Sequence, residues 1–157
     1  MPDHTMRDIQ RFLALRRIAI AGLSREPRHF SRALWREFRA RGFDTVAVNP
    51  AAGDIDGFPC HRSVKDIYPA VEGVLIVTPA TASASVVQDC IEAGIRNIWL
   101  YRGGPGGSVS APAVKLARDH NVEVIAGECP FMFLPGAGWF HSVHRGLRWI
   151  SGQLPPP

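Results

Sequence analysis

Three cysteines (Cys60, Cys90 and Cys129) with no C-x-x-C pair cannot build the even-numbered framework of a small secreted disulfide protein. No apolar run approaches the ~20 residues that a membrane-spanning helix needs. The N-terminus also lacks the apolar core of about 7–15 residues that marks a signal peptide, so a reduced cytoplasm is the expected location. Two phosphate-binding signatures are missing as well. G-x-x-x-x-G-K-[ST] occurs nowhere, and the turn after the first apolar segment has one glycine, Gly22, where a G-x-G-x-x-G fingerprint wants three.

What is present suits one globular domain over residues 1–157, with 46% hydrophobic and 20% charged residues. Its charge is unevenly placed. Residues 1–62 carry 11 Arg against 7 Asp/Glu, whereas residues 63–157 carry 7 Arg/Lys against 7 Asp/Glu. Six of those arginines fall between Arg25 and Arg41. Arginine suits phosphate because its planar fork donates two hydrogen bonds together. Arg32, Arg36 and Arg39 have helical spacing and are expected to form a solvated helix face. Arg25 and Arg28 sit in the loop ahead of that helix, where a phosphate would bind. No nucleic-acid partner and no membrane partner is expected.

Along the chain, Thr5-x-x-Asp8 reads as a capping box opening an N-terminal helix (1–15) with Met6, Ile9 and Leu13 on one side. Strands are expected over 18–23, 45–48, 73–77, 97–101 and 123–126, with a short edge strand near 58–61. Helices are expected over 30–41, with Phe30, Leu34 and Phe38 inward and Gly42 as C-terminal cap, and over 83–93, ending at Gly94. Another carries Pro112 in its first turn and ends near Asn121. The tail "ECPFMFLPGAGWFHSVHRGLRWISGQ" leads to a final amphipathic helix, and 153–157 are expected to fray. Apolar strands alternating with helices predict an α/β fold: a doubly wound, mainly parallel, Rossmann-like sheet.

Ligands of such sheets bind beyond the carboxyl ends of the strands, where the strand order reverses. Those ends read Gly22-Leu23-Ser24, Asn49-Pro50, Thr78-Pro79 and Tyr101-Arg102, rich in turn formers and hydroxyls and without clustered acids or bases. An NAD site wants Asp or Glu at the end of the second strand, and this chain has Asn49-Pro50 there. Without that carboxylate a ribose phosphate is tolerated. Pyrophosphate, ribose phosphate and a neutral tail together describe coenzyme A.

The chain resembles the stand-alone CoA-binding-domain family, which is similar to the CoA-binding domain of the succinyl-CoA synthetase alpha subunit. "IAIAGLSREP", "GFDTVAVNP", "GVLIVTPA" and "AGIRNIWLY" carry the resemblance, in order and over most of the chain. It implies that Gly22, Leu23, Ser24 and Arg25 cradle phosphates, that Asn49 and Pro50 flank the adenosine, and that Thr78-Pro79 meet the middle of the cofactor. Arg28 joins this set from the phosphate loop and Tyr101 from its strand end. Gly22 is expected to let the phosphates approach the backbone. The chain has no room for the synthetase's further domains, so ligase activity is not expected. A small CoA- or acyl-CoA-binding protein follows, acting as carrier, sensor or regulatory partner without its own reaction. A protein partner or homo-oligomer is compatible with that role.

The alternative is an enzyme using NAD(P) or a metal near Cys129, His141 and His144. Thiolate and imidazole suit Zn²⁺ or iron, His141 and His144 are three residues apart, and Cys60-His61 offer further ligands if the loops converge. Against it, Cys129 is separated from His141 by an irregular apolar stretch, and free cysteine often packs as a small hydrophobe. His4, His29 and His120 are expected at the surface or in caps.

Overall fold

Short segments, most of them apolar and closed within three residues by glycine, proline or asparagine, become the strands of one sheet. The computed structural model describes residues 4–51, 53–102, 104–136 and 155. Its strands are β1 (Arg17–Ala21), β2 (Asp44–Val48), β3 (Cys60–His61), β4 (Gly73–Ile76), β5 (Asn97–Tyr101) and β6 (Glu123–Glu128). Its helices are α1 (Met6–Leu13), α2 (Phe30–Ala40), α3 (Ala80–Glu92) and α4 (Ala111–Asp119). The sheet order is β3-β2-β1-β4-β5-β6, and every neighbouring pair is parallel. The expected Rossmann-like α/β fold is therefore present, with its switch point between β1 and β4.

The pleat divides the core between the two faces. Ile18, Ile20, Leu75, Trp99 and Ile125 face α1 and α2, while Ala19, Ala21, Val74, Ile76 and Leu100 face α3 and α4. The capping box at Thr5 and Asp8 opens α1 as expected. That helix buries Ile9 and also Phe12, whose ring meets Trp99 edge-on at 5.4 Å. Gly73 begins β4 beneath α1, and a Cβ there would lie 2.7 Å from Leu15 Cδ1 and 3.0 Å from Phe12 Cε2.

In α2, Leu34 and Phe38 are buried as expected, Trp35 joins them, and Phe30 is only half-buried. Gly42 has φ +87° and terminates the helix, with the Phe43 amide donating to Phe38 O at 3.1 Å. The expected solvated arginine face is half wrong. Arg36 is exposed, but Arg32 is buried and ion-paired to Asp56, and Arg39 lies 3.7 Å from the Phe58 ring centroid. His4 is another correction to a surface expectation: it is buried, with Nε2 3.7 Å from Glu128 Oε1. His29 and His120 do occupy cap positions, at the start of α2 and the end of α4.

Boundaries shift for local reasons. β1 ends at Ala21 because Gly22 turns at φ +93°, and α3 starts at Ala80 because Pro79 serves as its N-cap. Two 3-10 turns, Val64–Asp66 and Pro130–Met132, had no counterpart in the sequence reading. The expected final helix and the residues 153–157 lie outside the described residues, apart from Pro155.

Candidate functional site

The strand register brings three carboxyl ends level, with Ala21 beside Val48 on one side and Ile76 on the other. A cleft of about 410 Å³ opens above them, within the range of small-molecule sites (roughly 300–1,000 Å³). Gly22 and Ser24 line it from the loop after β1, His29 and Phe30 from the start of α2, and Asn49 from the end of β2. Val77 and Pro79 close it after β4, and Gly106 reaches it from the loop after β5. None of these is a carboxylate. The cleft lies at the amino-terminal ends of α2 and α3, where aligned peptide dipoles favour an anion.

Sequence reasoning foresaw Gly22, Ser24, Asn49 and Pro79 among these residues and missed His29, Phe30, Val77 and Gly106. Phe30 was read as a core residue because of its helical phase. It packs against the edge of that core and also stacks on Tyr101 at 4.8 Å, with the His29 ring 4.6 Å away. His29 Nδ1 accepts from the Ser31 amide at 3.2 Å and so caps α2. The run of glycines in "RGGPGGSVS" was the available signal for Gly106.

Hydrogen bonds inside the loop after β1 limit what it can offer. The Gly22 and Leu23 amides both donate to Val48 O, at 2.9 and 3.2 Å, and the Ser24 amide donates to Ser31 Oγ at 3.0 Å. The Ser24 hydroxyl accepts from the Glu26 amide at 3.0 Å, leaving its proton to donate elsewhere. Among the described residues, the Arg25 and Phe30 amides donate to nothing. Leu23 is a fully buried core side chain. Arg25 and Arg28 project from the exposed outer part of the loop.

The remaining expected residues surround the cleft. Asn49 ties the loops together, donating from Nδ2 to Leu23 O at 2.9 Å and accepting from the Ala51 amide at 2.9 Å. Pro50 is exposed beside it. Thr78 fills the space a Cβ would need at Gly22, so the glycine is required by loop packing whether or not a phosphate approaches. Tyr101 lies behind Phe30, and burial pushes its hydroxyl pKa up, with Cys129 acting in the same direction.

Burial raises the pKa of all three thiols, that of Cys90 to about 12, so each favours the protonated form. Cys60 stands in β3 and Cys129 follows β6, at opposite edges of the sheet. Five inter-strand steps of about 4.8 Å each separate those edges, so Cys60-His61 cannot complete a metal site with Cys129. His141 and His144 lie outside the described residues. Among the described residues no group of three or more His, Cys, Asp or Glu is placed to hold a metal, and no helix is long and apolar enough to cross a membrane.

Comparison with known proteins gives a matching family model, described as a CoA binding domain, over residues 16–135. The ADP-forming acetate–CoA ligase I of Archaeoglobus fulgidus is 25% identical over 118 residues, 71% of this chain but only 17% of the ligase. Among solved structures, a conserved hypothetical protein from Pyrococcus furiosus has a TM-score of 0.67 at 27% identity, covering 73% of this chain and 95% of that one. A hypothetical protein from Pyrococcus horikoshii OT3 has a TM-score of 0.74 at 24% identity, with 82% and 88% covered, and shares the fold.

Proposed function

The chain belongs to the CoA binding domain family, and on that premise we propose that it binds coenzyme A or an acyl-CoA at the switch-point cleft without a reaction of its own. It would act as a carrier, a sensor or the regulatory partner of another protein. One observation carries this reading: the cleft is built from backbone, hydroxyl and apolar groups at two helix amino termini, with no carboxylate among its lining residues. Phosphates would lie at the start of α2, against the Arg25 and Phe30 amides, the Ser24 hydroxyl and the Arg25 and Arg28 side chains. The adenosine would lie beside Asn49 and Pro50, and the pantetheine arm would run past Thr78 and Pro79 towards the Phe30–Tyr101 stack. When bound, the cofactor supplies a thiol or thioester; the protein's part is to hold the phosphates and shelter the arm.

No reacting pair of acid and base lines the cleft, and His29 is engaged as the cap of α2. The ligase relative is far longer than the part this chain matches, so the activity in its name is not transferred here. The test is native mass spectrometry of freshly purified protein, followed by calorimetry with CoA and NAD. A retained CoA mass, or CoA binding clearly tighter than NAD, supports the proposal. Tighter NAD binding, or no binding of either, refutes it.

A further inference from the structure

Arg32, in the first turn of α2, is 2% exposed yet carries a full charge. Its Nη1 donates to the carbonyls of Ser24 and Arg25, at 3.3 and 3.2 Å, and its Nη2 lies 2.5 Å from Asp56 Oδ1. Asp56 reaches across from the β2–β3 connection on a two-residue hairpin. Ile55 and Phe58 exchange backbone hydrogen bonds of 2.9 Å, and Asp56 and Gly57 have φ of 51° and 80°. Those positive angles are what a type I′ turn requires. A buried guanidinium without a counter-charge would be costly, and this carboxylate supplies one.

The consequence lies in the backbone. A trans peptide points its carbonyl and its N–H in opposite directions. With the Ser24 carbonyl held on Arg32, the N–H of the same peptide, that of Arg25, points away from the guanidinium. Between Gly22 and Phe30 it is one of two amides, with that of Phe30, that donate to nothing among the described residues. The Arg25 carbonyl is held by the same guanidinium, and the Pro27 carbonyl accepts from Arg36 Nη1 at 3.3 Å. Three loop carbonyls are thus turned onto arginines of α2. A carbonyl oxygen facing the ligand would repel a phosphate, whereas an amide attracts one.

We infer that Arg32 is a positioning residue for the anion-binding loop after β1, and that Asp56 is its tether. Arg32 is not among the residues lining the cleft, so it acts through the loop and not on the ligand. The inference rests on the CoA reading only for the identity of the anion. It also couples α2 to the β2–β3 connection through residues that the sequence keeps 24 positions apart (Arg32 and Asp56).

The experiment compares the full chain with Asp56→Asn and Arg32→Lys. Asparagine tolerates the positive φ at this turn, so Asp56→Asn should fold. Lysine keeps the charge but has no planar fork to hold two carbonyls and a carboxylate together. ¹H–¹⁵N spectra are recorded without ligand, then during titration with CoA and with pantetheine, which has the arm but no phosphate. CoA affinity should fall about tenfold in both variants, the scale of one charge-assisted hydrogen bond, while pantetheine shifts stay as in the parent. The Ser24, Arg25 and Glu26 amide resonances should move, and those of the first turn of α3 should not. CoA affinity within about twofold of the parent in folded Asp56→Asn overturns the inference, as does equal weakening of CoA and pantetheine. If the parent binds no CoA, the proposed function fails on its own, and the ligand-free spectra still decide: moved loop amides uphold the positioning role and unmoved ones overturn it.

Discussion

Gly22 and Thr78 touch across the switch point: a Cβ on Gly22 would lie 2.7 Å from the Thr78 backbone nitrogen and 2.8 Å from its Cγ2. Thr78 has little freedom to retreat. Its carbonyl accepts from Ser108 Oγ at 2.6 Å, its hydroxyl meets Ser83 Oγ at 3.2 Å, and the preceding amide, Val77, donates to Ala21 O at 2.9 Å. The single glycine of the first turn therefore lets the β1 and β4 loops close against each other.

Gly22→Ala should accordingly lower stability, and not only affinity. Left-handed strain of about 1–2 kcal/mol and overpacking of about 1–3 kcal/mol give an expected loss of about 2–5 kcal/mol in urea denaturation. Gly22→Val should be worse. An alanine variant as stable as the parent would mean that Thr78 yields easily, against the hydrogen bonds that hold it.

The exposed arginines of the loop bear on ligand choice. CoA should bind more tightly than dephospho-CoA, and the gap should shrink as salt rises, because exposed charges are screened. Replacing both Arg25 and Arg28 with alanine should reduce the preference about three- to tenfold at low salt. Equal calorimetric affinities for the two ligands in the parent would remove ribose-phosphate recognition from the site.

Acid sensitivity should trace to particular carboxylates. The Arg17 and Arg16 amides donate to Glu72 at 2.8 and 2.7 Å and hold its pKa below the usual carboxylate range. The Arg32 hydrogen bond does the same for Asp56. A carboxylate with a lowered folded pKa stabilises the fold above its unfolded value, about 4. That contribution is lost as pH falls through the folded value. The urea midpoint should therefore vary little through these groups from pH 7 to about 5 and decline below about 4.5. Glu72→Gln should flatten part of the decline; an unchanged acid slope would show that Glu72 contributes nothing to it.

Helix α1 lies outside the matched family region yet belongs to the core. Phe12→Ala removes a ring wedged between Trp99 and Gly73 and should cost about 3–5 kcal/mol. A loss below about 1 kcal/mol, measured by chemical denaturation, would mean that α1 is only a loosely attached appendage.

Much of the fold was legible because it is local chemistry. Ile18, Ala19, Ile20 and Ala21 are apolar on both faces, as a buried parallel strand must be. Thr5 and Asp8 announce a helix start, Gly42 announces a stop, and the glycine, asparagine and proline residues after the strands mark where a crevice forms. The missing carboxylate at Asn49 narrowed the ligand class. These signals need only a few neighbouring residues and the period of the backbone.

Contacts between distant segments could not be read this way. The i, i+4 and i+7 spacing of Arg32, Arg36 and Arg39 is the same for a solvated face and for one in which Arg32 is covered. The β2–β3 hairpin carrying Asp56 decides between them. His4 looked like a terminal surface residue until β6 brought Glu128 beside it. Phe30 has the phase of a core position and packs against the core, but only the sheet order brings Tyr101 against its ring at the cleft. The sequence alone thus determined the elements, their class and the chemistry at the strand ends, because short-range sterics and burial periodicity act within each segment. Which loops meet, which charge is buried and which carbonyls an arginine holds were decided only by tertiary structure, because those depend on strand order and on side chains that meet across it.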